Sequence, residues 1–178
     1  MQFDSWVSST RRVLNLMFQG KLGSLSKAII DRFYDDLDGF YSQLQTKRNN
    51  AMNRIDVARS MGKSLEALGW LCSVSEHLGS NTPDVVAQQG DRIIVAQALS
   101  DMTNENLKDA LNYLSGLRKR FRNAKIFLAI DMMNYSLVFD ENEISRIFFD
   151  SVKRDQVGLA LAINEQSAVM IPADMLLV

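Results

Sequence analysis

The chain has 178 residues, of which 47% are hydrophobic and 23% charged, so it holds enough apolar side chain for a sizeable core and is not a disordered segment. Twenty Lys and Arg stand against 21 Asp and Glu, and the net charge of −1 leaves any binding to nucleic acid or an anionic membrane to a local patch. Cys72 is the single cysteine, which excludes an intramolecular disulfide, and Met1-Gln2-Phe3-Asp4-Ser5-Trp6 lacks the basic end and apolar run of a secretory signal; the expectation is a reducing, cytoplasmic setting.

In chain order, Phe3, Trp6, Val7, Val13, Leu14 and Met17 fall on one stripe of a first amphipathic helix, with Asp4 near its start and Gly20 and Gly23 as its stop. Ser24 or Ser26 can cap a second helical stretch. There Ile30, Phe33, Leu37, Phe40, Leu44, Ala51, Ile55, Ala58, Met61, Leu65 and Leu68 follow in steps of mostly three and four. The polar run Thr46-Lys47-Arg48-Asn49-Asn50 interrupts the series. An unbroken helix over 24–78 would be about 80 Å long and coiled-coil-like, needing a partner to cover it. A hairpin bent near Asn49-Asn50 or Gly62 would fold the stripe onto itself, and is the favoured form.

Leu78-Gly79-Ser80-Asn81-Thr82-Pro83-Asp84 is the strongest punctuation, read as a glycine stop followed by a Thr cap with Pro and Asp in a new first turn. It divides the chain into 1–79 and 82–178. That start signal favours a helix over 85–99, although Gly90-Asp91 between Val85-Val86 and Ile93-Ile94-Val95 could also turn a β-hairpin. Thr103 caps a helix whose buried face is Leu107, Leu111, Leu114 and Phe121 and whose last turn is basic. Residues 125–130 read as a buried strand, and Asp140-Glu141-Asn142-Glu143 has the spacing of a capping box opening a helix with Ile144, Ile147, Phe148 and Val152. Val157, Leu159, Leu161 and Ile163 alternate with small residues ahead of Asn164-Glu165-Gln166-Ser167, which predicts a C-terminal hairpin with 168–171. The expected fold class is therefore mainly α: a helical N-terminal half, then a helical or α+β half with a small β-hairpin. The most apolar window, 126–139, is interrupted by Asp131, Asn134 and Tyr135 and is shorter than the roughly 20 residues of a membrane span, so none is expected.

Residues that commonly build active sites are scarce. His77 is the only histidine, and Cys72 lies five positions before it, poor spacing for a shared helix face; a small core residue and a helix-end residue are the plainer readings. Asp31, Asp35 and Asp38, with Asp36 nearby, could present carboxylates on one face as metal-binding bundles do, but no E-x-x-H motif accompanies them, so a solvated acidic face is the simpler account. Met61-Gly62-Lys63-Ser64 ends like a phosphate-binding loop but lacks its earlier glycine and follows a helical pattern. No cofactor or small-molecule substrate is indicated.

Two interaction surfaces remain. The leading expectation is a non-catalytic protein–protein interaction protein, an adaptor or structural subunit of a larger assembly, whose partner-facing residues are Phe3, Trp6, Val7, Val13, Leu14, Met17, Ile30, Phe33, Leu37 and Phe40. The alternative is a nucleic-acid-binding accessory protein using Arg118, Lys119, Arg120, Arg122 and Lys125, whose charges surround Phe121; ordinary dipole compensation at a helix end would account for part of this cluster. A second basic zone runs through Lys47, Arg48, Arg54 and Arg59. A metal-dependent enzyme around Asp31, Asp35 and Asp38 is the third and weakest reading.

Overall fold

The computed structural model describes residues 27–47, 50–75 and 82–177, with the side chains of 27–33 and 47 outside the description. Phe3, Trp6, Val7, Val13, Leu14, Met17 and His77 thus lie outside the described residues, as do the side chains of Asp31, Ile30 and Phe33. The chain divides into two compact units, Met1–Arg48 and Asn49–Val178. In the first, helix α1 spans Lys27–Lys47. Its amphipathic spacing is visible in the burial of Leu37 and the partial burial of Phe40 and Leu44, against exposed Asp35, Asp38 and Gln45.

The second unit opens with helix α2, Arg54–Ala67, whose cap Asn53 accepts a hydrogen bond from the Asp56 N–H at 2.9 Å. Six strands follow: β1 Leu71–Val74, β2 Val85–Gln89, β3 Arg92–Leu99, β4 Ala124–Asp131, β5 Val157–Asn164 and β6 Ser167–Ile171. They form one sheet in sequential order β1-β2-β3-β4-β5-β6. The first three run antiparallel, β3, β4 and β5 are parallel, and β6 returns antiparallel to β5. Parallel neighbours need crossovers, and these are helix α3, Asn104–Arg120, then the short 3-10 turn Met132–Asn134 with α4, Tyr135–Phe139, and α5, Glu143–Asp155. A last turn, α6, covers Ala173–Leu176.

Helix α2 touches all six strands. A helix is only about 10 Å across, whereas six strands at about 4.8 Å spacing cover about 24 Å between the outer axes, so the sheet curls around the helix. The two flanks of α2 show the wrap. At Gly62 a Cβ would come within 2.7 Å of Val74 Cγ2 on β1, while Ser60 Oγ donates to the Ser167 carbonyl at 2.5 Å and Ser64 Oγ accepts from the Ala168 N–H at 2.7 Å on β6. Val57, Ala58, Met61 and Leu65 are buried between those flanks. Helices α3 and α5 pack on each other and on β3, β4 and β5. Because β4 is buried on both faces from Ile126 to Asp131, α2 and α3 cover opposite sides of it.

The mainly α expectation is therefore corrected: the second unit is an α/β fold on a curled six-stranded mixed sheet, not a helical bundle or a coiled coil. Helicity does not run unbroken from 24 to 78, since α1 ends at Lys47 and α2 begins at Arg54 in the other unit. The α2 part of the stripe is satisfied by strands. Leu71–Val74 is a strand where helix was expected, and 85–99 is a hairpin instead of a helix. The two-residue turn Gly90-Asp91 joins Gln89 to Arg92, with φ +60° at Gly90, the conformation that only glycine adopts without strain at the first turn position. Thr103 does cap α3, β4 is the buried strand, and β5 and β6 form the C-terminal hairpin. Helix α5 starts two residues later than its capping-box spacing suggested, because Asn142 caps it through the Ser145 N–H at 2.9 Å. No helix among the described residues is long and apolar enough to cross a membrane.

Gly158 on β5 makes room for its neighbours on β4 and β6: a Cβ there would lie 2.7 Å from Phe127 Cε1 and 2.9 Å from the Ile171 carbonyl oxygen. Gly158→Ala is expected to destabilise the second unit by about 2 kcal/mol, read as a lowered urea midpoint with unchanged slope. An unchanged midpoint would show that Phe127 and β6 can move aside.

Candidate functional site

The most constrained polar group is Asp84, immediately before β2 and 4% exposed. A carboxylate held out of water needs charge and hydrogen bonds to replace hydration, and it has both. Arg54, the first residue of α2, donates from Nε at 3.0 Å and from Nη2 at 2.8 Å in a bidentate pair. The Ala98 N–H on β3 donates to the same carboxylate at 2.7 Å, and the Asp84 carbonyl accepts from Ser75 N–H at 2.8 Å. Asp131 plays a similar part at the end of β4, buried and accepting from the Met52 N–H at 2.5 Å and the Met133 N–H at 3.0 Å.

Val85 pairs with Ala96, which places Asp84 across from Gln97 near the carboxyl end of β3. Arg54, Gln97, Asp101, Asn106, Asp109 and Tyr113 line a cavity of about 370 Å³ at that end. Gln97 Oε1 and Tyr113 OH are themselves buried away from the cavity, with no hydrogen-bond partner among the described residues, so the two residues line it through other atoms. Burial pushes the Tyr113 hydroxyl above its ordinary value, the Asp84 charge adds to this, and Arg120 and Arg54 oppose it, so Tyr113 is a neutral phenol. Carboxyl ends of parallel strands are where α/β sheets commonly seat ligands.

The basic segment lies at the other end of α3. Arg118 is half-buried and donates to the Ala124 carbonyl at 2.8 Å, which holds the turn between α3 and β4. With Lys125, Gln156, Gly158 and Asp174 it lines a second cavity of about 280 Å³. Lys119, Arg120, Arg122 and Lys125 are exposed, and the Arg120 guanidinium sits 5.9 Å from the ring centre of Phe121, which is 38% exposed instead of on the buried face. The last turn of α5 brings Lys153 and Arg154 alongside, since Ser115 Oγ on α3 donates to Asp155 at 3.2 Å and Arg154 pairs with Asp155 at 2.8 Å.

The other predicted site residues are not gathered with these. Asp35 and Asp38 are exposed on α1 and Asp36 is half-buried, and among the described residues no three His, Cys, Asp or Glu side chains come together as a metal site. Lys63 and Ser64 sit inside α2, with Ser64 engaged to β6, so Met61–Ser64 forms no phosphate loop. Of the second basic zone, Arg54 is held by Asp84. Sequence reasoning missed Gln97, Tyr113 and the Arg54–Asp84 pair; the visible signal was Gln97, the one polar side chain between Ile93 and Leu99. Comparison with protein-family models, with curated proteins and with solved structures finds no match to this chain.

Cys72, half-buried on β1, has its thiol pushed up to about 11 by burial and then by the Glu66 charge. Because burial disfavours the thiolate, the thiol stays protonated below that range. Alkylation at neutral pH is expected to be at least about tenfold slower in the folded protein than in guanidinium. Equal rates would show an exposed, ordinary thiol.

Proposed function

We propose that this chain is a non-catalytic nucleic-acid-binding accessory protein, which holds a phosphate backbone against the surface where α3 and α5 end. The observation that carries this reading is the run from Arg118 to Lys125, five cations without an acid, four of them exposed around a half-open aromatic ring. Topology adds to it. Both crossovers return antiparallel to β3, β4 and β5, so their basic last turns point the same way and Lys153 joins the group. Compensation of the helix dipole accounts for Arg118, Lys119 and Arg120, but Arg122 and Lys125 lie beyond the helix. An exposed Phe121 among cations suits stacking on an unpaired base.

Binding of labelled single- and double-stranded oligonucleotides should weaken steeply between about 50 and 200 mM salt. Reversing Lys119, Arg120 and Arg122 to Glu should lower affinity at least about tenfold and reduce the salt slope by about 3. No retention of either nucleic acid at low salt would overturn the reading.

Leu71 favours protein interaction as a second reading. It is 81% exposed on β1, an outer strand that pairs only with β2 among the described residues, and such a strand can accept another chain's strand. Light scattering would then show concentration-dependent association that Leu71→Lys removes. A monomer at every concentration would count against self-association by this edge.

A further inference from the structure

We infer that the cavity at the basic end of α3 is a site for a phosphate monoester, the terminal phosphate of a nucleic acid strand. This rests on the nucleic-acid contact proposed for the neighbouring surface and adds that the strand is held by its end. The cavity, about 280 Å³, lies where β4 and β5 begin and β6 ends. Its inner side is buried and formed by Ile126, Phe127, Gly158, Pro172 and Ala173, while Lys125, Gln156 and Asp174 are exposed at its mouth. Small-molecule pockets begin at roughly 300 Å³ and a water takes about 30 Å³, so this one has room for a phosphate and part of its sugar. Closed on the inner side, it admits the end of a strand and gives a continuous backbone no exit.

The cations suit that end. Arg118 Nη1 donates to the Ala124 carbonyl at 2.8 Å, which brings the half-buried guanidinium to the residue directly before Lys125 and so to the mouth. Among the described residues Arg118 makes no second hydrogen bond. Its remaining N–H groups can therefore meet two oxygens of one phosphate, with the Lys125 ammonium as a second charge. Arg118 and Lys125 against Asp174 leave the lining with a surplus of positive charge, and Asp155, beside Gln156, is already paired with Arg154 at 2.8 Å. Such a surplus favours a terminal monoester, which carries close to two negative charges above about pH 6, over the single charge of an internal diester.

The probes are internally labelled oligonucleotides of one sequence with a 5′-phosphate, a 3′-phosphate or only hydroxyl ends, titrated into the full chain by fluorescence anisotropy at about 100 mM salt. A phosphate at one of the two ends is expected to raise affinity at least about tenfold. Lys125→Gln should cut that advantage to about threefold or less, and Asp174→Asn should enlarge it. Lys119→Gln, outside the cavity, should weaken all three oligonucleotides alike and leave their ratio unchanged. Circular dichroism keeps the test fair by showing that each variant is folded. Equal affinity for phosphorylated and hydroxyl-ended strands, or an advantage that survives Lys125→Gln, would overturn the strand-end assignment and leave the nucleic-acid reading standing; no binding of any oligonucleotide would overturn both. A nucleoside monophosphate that displaces the phosphorylated strand at equal concentration would mark a site for free mononucleotides and overturn the strand-end assignment as well.

Discussion

The second unit is organised around one carboxylate that cannot stay hydrated. Asp84 is held by Arg54 from the start of α2, by the Ala98 N–H near the end of β3 and, through its own carbonyl, by Ser75 after β1. Three chain segments thus converge on one residue. Burying an ion pair costs desolvation of both charges, so the pair contributes little net stability compared with an apolar substitute, but either partner alone would be strongly unfavourable. Its effect is to fix register. With Asp84 in place, Val85 falls opposite Ala96, Gln97 faces the cleft and α2 begins where its apolar stripe meets the curled sheet. Arg54 is 26% exposed on its side chain, which tempers the energetic weight of the pair without altering its geometry.

Helix α3 then gives the unit its electrical direction. Asp101, Glu105 and Asp109 lie at or before its first turns, and Arg118, Lys119 and Arg120 lie in its last, the distribution that a helix dipole favours. Because the crossover is part of a parallel pairing, the amino end of α3 sits at the carboxyl end of β3 and its basic end at the start of β4. One 17-residue helix therefore separates the cleft beside β3 from a cationic surface.

How much of this could be read from the residues depended on whether a local signal had one physical meaning. Thr103 followed by an apolar face at 107, 111 and 114 could only be a helix, and α3 is one. Val57, Ala58, Met61 and Leu65 were correctly periodic, but a helical stripe looks the same whether a helix or a sheet covers it. Pro83-Asp84 resembled a helix start because Asp is favoured there; its actual task, accepting from Arg54 thirty residues earlier, leaves no local trace. The segment 85–99 carried both readings, and the pairing of Gln89 with Arg92 across Gly90-Asp91 decided for the hairpin. Long-range partners also hid the cleft. Gln97 stood out as polar within an apolar run, but Tyr113 and Arg54 join it only through the fold.

The most direct test of the central role of Asp84 is a double-mutant cycle on Arg54→Ala and Asp84→Ala, measured by urea unfolding. A buried, bidentate pair predicts that each single change destabilises and that the double change costs less than their sum by about 2 kcal/mol. Additivity within about 0.5 kcal/mol would contradict it, and would mean that the convergence of α2, β2 and β3 does not depend on this pair.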